Sequence, residues 1–131
     1  MKDRLQRLGR LARQLAQLRE ASEGKLILLK AKQAGLVQKR AEVAAAMERL
    51  AAFDGAILAS VMRQTARIDL EIGGLGSDIA AQRKHILDIQ VRIKGVSRLA
   101  GKERNLQQRL LQRRELSELA SGASLRQALE V

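Results

Sequence analysis

Eight arginines carry the clearest chemical potential in this sequence. Arg4, Arg7, Arg10 and Arg13 step by three near one end, and Arg104, Arg109, Arg113 and Arg114 cluster near the other. A guanidinium is planar, permanently charged and able to grip a carboxylate or phosphate through two parallel hydrogen bonds, so such clusters suit an acidic protein surface or phosphates. The competing reading is a solvated face, because charge runs on helices commonly do nothing specific.

Catalytic or metal chemistry finds no comparable set. His85, the single histidine, follows Arg83 and Lys84, whose charges oppose metal binding and general-base work. The run Gly74-Leu75-Gly76-Ser77-Asp78 has part of a phosphate loop but lacks the third glycine, a following lysine and a preceding strand, so it reads as a turn. Asp69 and Glu71 are two residues apart and point to different sides of a helix, while Asp88 and Glu103 are isolated. No nucleophile, base and orienting group come together, and the expectation is a protein that is not an enzyme and uses no cofactor or metal.

The composition says what must position the arginines. The chain has 131 residues, with no Cys, Pro, Trp or Tyr and one Phe, so the large side chains that usually fill a globular core are missing. Leu and Ala, 22 and 20 residues, supply the apolar content and are strong helix formers. Absence of cysteine removes disulfides and thiolate sites. No window approaches twenty uncharged apolar residues, and the basic N-terminal stretch lacks the apolar run of a secretory signal, which predicts a soluble, unprocessed, cytoplasmic protein. The formal charge of +11 favours an acidic partner without choosing its kind.

Apolar residues recur at coiled-coil spacing. One seven-residue series runs Leu8, Leu15, Ser22, Leu29, Leu36, Val43, Leu50, Ile57, with Ser22 its single polar member. Its expected companion begins with Leu11 and Leu18, passes through Lys25, Lys32 and Lys39, and resumes at Ala46 and Phe53; long lysine stems can lie along apolar surface. A second seam is cleaner. Val61, Ile68, Leu75, Ile89 and Val96 form one row, broken by Gln82, and Ile72, Ile79, Ile86, Ile93 and Ala100 form the other. A striped helix gains most of its stability by packing the stripe, so two stripes in one chain predict an all-α fold, a long antiparallel two-helix coiled-coil hairpin in a single domain.

The glycines Gly73, Gly74 and Gly76, followed by Ser77 and Asp78 as N-caps, place the reversal at about 73–77, with helices over about 3–72 and 78–120 and a frayed tail at 121–131. That layout leaves the Leu-rich residues 5 to 18 partly unpaired. Asp54-Gly55 offers the alternative reversal, at 54–56, with arms of more equal length.

The run Leu5-Gln6-Arg7-Leu8-Gly9-Arg10-Leu11-Ala12-Arg13, followed by Leu18-Arg19-Glu20, resembles the start of the small basic coiled-coil proteins of type III export systems, the flagellar FliJ and injectisome YscO group. The stretch Arg98-Leu99-Ala100-Gly101-Lys102-Glu103-Arg104, leading into Leu110-Leu111-Gln112-Arg113-Arg114, is similar to their C-terminal helix. The resemblance implies a hairpin standing as a central stalk in the hexameric export ATPase, its joined ends entering the pore and its far part meeting the export gate or chaperones. By matching positions, Arg4, Arg7, Arg10, Arg13, Arg113 and Arg114 would face the ring. Two other readings stand beside it: a coiled coil that binds nucleic acid through phosphates alone, since no aromatic residues are there to stack on bases, and a plain structural scaffold. Peripheral attachment of residues 1 to 19 to an anionic membrane is also compatible with their basic, amphipathic pattern.

Overall fold

In the computed structural model, which describes residues 2–50 and 55–130, the chain is two α-helices, α1 (Lys2–Leu50) and α2 (Gly55–Glu130). They pack together as a hairpin, and the contacts divide into two compact units. In the unit spanning Gln17–Gln90 the pairing is antiparallel: positions on α1 rise as their partners on α2 fall, with Ser22 against Gln82, Gln33 against Ile72 and Arg40 against Asp69. The other unit joins Met1–Ala16 to Val91–Val131. There Arg4 lies against Glu103.

The second seam matches its expected rows. Ile68, Leu75, Ile79, Ile86, Ile89 and Val96 are buried, and Val61, Ile72, Gln82, Ile93 and Ala100 are half-buried. Ile89 is the most enclosed of these, at 1% exposure. On α1 the row containing Leu8, Leu15, Ser22, Leu29, Leu36 and Val43 also faces inward. Its eighth member does not, because Ile57 belongs to α2 and is exposed. The side chain of Leu50 lies outside the described residues.

The companion row of α1 is a correction. Leu11, Leu18, Lys25, Lys32, Lys39 and Ala46 are exposed, and Phe53 lies outside the described residues. The row used is that of Leu5, Ala12, Leu26, Gln33 and Met47, all half-buried, with Arg19 and Arg40 exposed within it, and it sits on the opposite border of the Leu8 row. Either border satisfies helical periodicity. The choice falls to the side with fewer cations, two arginines against three lysines, because a charge stays in water more cheaply than it can be covered.

The reversal is a second correction. Gly73, Gly74, Gly76, Ser77 and Asp78 lie inside α2, and α1 ends at Leu50, so the reversal is not at 73–77. Asp54, the start of the alternative reversal, lies outside the described residues, and Gly55 opens α2. Energetics explain the outcome. A break at the glycines would uncover Ile72, Leu75 and Ile79, each worth about 1.5–3 kcal/mol when fully buried, against about 1 kcal/mol for each helical glycine. Gly73 and Gly74 are exposed, and nothing lies within 4 Å of where a Cβ would stand. Ser77 caps nothing; its hydroxyl donates back to the Gly73 carbonyl at 3.4 Å.

The C-terminal stretch corrects the tail and the overhang together. Residues 121–130 continue α2 instead of fraying. Residues 5 to 18 do not stand unpaired: Leu15 is buried, and Leu5, Leu8 and Ala12 line a groove with Ile93, Val96 and Ala100. It is α2 that outruns its neighbour. Every residue from 108 to 121 is exposed.

Candidate protein-binding surface

All eight candidate arginines fall in the unit formed by Met1–Ala16 and Val91–Val131, and all eight are exposed. This unit holds 14 Lys or Arg against five Asp or Glu, whereas Gln17–Gln90 holds 11 against nine. The first therefore carries +9 of the +11, a difference no single motif announces.

The two helices present their arginines differently. Steps of three residues turn an α-helix by about 300°, so Arg4, Arg7, Arg10 and Arg13 drift about 60° per step and wind half-way round α1 instead of forming one row. Arg4 borders the seam, where its Nε lies 4.0 Å from Glu103 Oε2. Arg10 falls on the side remote from Leu5, Leu8 and Ala12. Arg104 lines the groove with Leu5, Leu8 and Gly9, so it and the α1 arginines share one level of the unit. Arg109, Arg113 and Arg114 lie further along α2 than the Arg4–Glu103 pair, Arg113 about 15 Å beyond the level of Glu103.

The row that does hold together was not among those eight. Lys94, Arg98, Lys102, Arg109 and Arg113 are spaced by four, four, seven and four, which keeps five exposed cations on one face of α2 over about 28 Å. The signal was available in the spacing, since the helix expected over about 78–120 already held all five. Between Lys94 and Arg114 the sole acidic residue is Glu103, which is buried at 8% exposure and faces Arg4.

The residues set aside for catalysis stay apart. His85 and Asp88 are exposed, Asp69 pairs with Arg40, and among the described residues no group of three His, Cys, Asp or Glu could hold a metal ion. Among the described residues no helix is long and apolar enough to cross a membrane. No family model, curated protein or solved structure matches the chain.

Proposed function

We propose that this chain is a non-enzymatic interaction protein of the cytoplasm, the stalk or escort of a type III protein export ATPase, which docks through its basic unit. The observation that carries the reading is the segregation of charge, +9 in one unit and +2 in the other. Such a field orients a partner and speeds its approach more than it adds affinity. The winding of Arg4, Arg7, Arg10 and Arg13 about α1 supports a partner that surrounds the helix. Acceptors lining a pore can meet all four, whereas a flat acidic surface meets only the one or two on its own side.

The test is the triple charge reversal Arg7→Glu, Arg10→Glu and Arg13→Glu. The unaltered chain is expected to bind the export ATPase hexamer and stimulate its hydrolysis, and the variant to do neither. The three side chains are exposed, so the helical fold should persist. Equal binding by the variant, or no effect of the unaltered chain on the ATPase, removes the reading.

A further inference from the structure

One flank of the basic unit is apolar on both helices and edged with cations on one of them. Arg4 meets Glu103 on this flank, and Leu11, a heptad after Arg4, continues the same row of α1. On α2, Leu99 and Leu106 stand four before and three after Glu103, on its border away from the groove that Ala100 and Arg104 share with α1. Leu11, Leu99 and Leu106 are 43%, 50% and 52% exposed. Arg98, Lys102 and Arg109 run beside the two α2 leucines and are exposed as well.

We propose that this flank receives an amphipathic helix whose apolar row is edged by carboxylates, completing a three-helix arrangement. This rests on the interaction reading above and names the chemistry of a partner segment. The spacing of the leucines and cations is helical, so a helix laid alongside repeats in register with both. Charge complementarity selects the occupant. Glu103 is the one acidic residue between Lys94 and Arg114, so Arg98, Lys102 and Arg109 have few carboxylates of their own stretch to meet. A second copy of this unit would bring its own +9 and be repelled. Nucleic acid would engage the cations but leave the leucines without use.

The probe is a fluorescein-labelled synthetic peptide of about four heptads, with Leu at the core positions and Glu beside them, titrated with the full chain and followed by anisotropy. It is expected to bind, and the same peptide with Lys for Glu is not. Leu99→Ser/Leu106→Ser and Arg98→Glu/Lys102→Glu should each weaken binding about tenfold while circular dichroism stays unchanged, because all four side chains are exposed. Three results overturn the proposal. These are no binding of the acidic peptide, equal binding by the leucine variant, or a single-stranded oligonucleotide that binds more tightly than the peptide and ignores the leucine substitutions. The Arg7, Arg10 and Arg13 reversal leaves Arg98, Leu99, Lys102 and Leu106 of this flank in place. ATPase binding kept by that variant, or absent from the unaltered chain, therefore counts against the stalk reading alone, and failure of the unaltered chain to bind the acidic peptide counts against this one alone.

Discussion

Gln82 Nε2 donates a hydrogen bond to the Ser22 carbonyl oxygen at 3.0 Å, so the polar interruption of one seam meets the polar interruption of the other. Each looked like a defect in its own heptad series. Together they form one layer of the pairing, and sliding either helix by a heptad would set Gln82 against a leucine and Ser22 against an isoleucine or leucine. Gln33 adds a similar bond, its amide donating to the Ile72 carbonyl at 3.4 Å.

Replacing this layer with apolar side chains should trade register for stability. The double variant Ser22→Leu/Gln82→Leu is expected to be more stable than the parent by about 1 kcal/mol in urea unfolding, while spin labels at exposed Lys30 and Asp78 report more than one separation. A single unchanged separation would show that the apolar rows alone hold the alignment.

Gly73→Ala and Gly74→Ala should each raise stability by about 1 kcal/mol, read as a higher melting temperature. Both positions are helical, neither has a positive φ, and the new methyl groups enter open space. At Gly76 the Gln33 amide lies 3.6 Å from the position of an added Cβ, an ordinary contact, so alanine is tolerated there too. A fall in melting temperature for Gly73→Ala would argue for a reversal at the glycines.

The companion row of α1 can be tested by neighbouring substitutions. Leu26→Ala should cost about 1–2 kcal/mol, reduced from the value for a fully enclosed leucine because Leu26 is half-buried. Lys25→Ala, one residue earlier on the exposed side, should change stability by less than about 0.5 kcal/mol. Comparable losses at both positions would mean that the lysine row is also packed.

Much of the architecture is legible along the chain. Helices follow from the abundance of Leu, Ala, Arg and Gln and the absence of Pro, and the α2 rows follow from isoleucines and valines that occupy two heptad positions with Gln82 as their one break. The eight arginines were also legible as a set, since each could be found by type alone. Their arrangement was not. Which of them share a level depends on where the chain reverses: Arg104 stands beside the α1 arginines, and Arg113 lies about 15 Å further along α2 than Glu103, which faces Arg4.

The sequence by itself determined a helical chain with two apolar seams and a strong positive charge, because residue type and period settle local conformation and which side of a helix avoids water. Tertiary structure alone decided the reversal, the inward row of α1 and the segregation of charge into one unit. Those outcomes compare alternatives of similar local cost, three glycines kept in a helix against three core side chains uncovered, or one border of a stripe against the other. Such comparisons have an answer only when the second helix is in place and the area each option buries can be weighed.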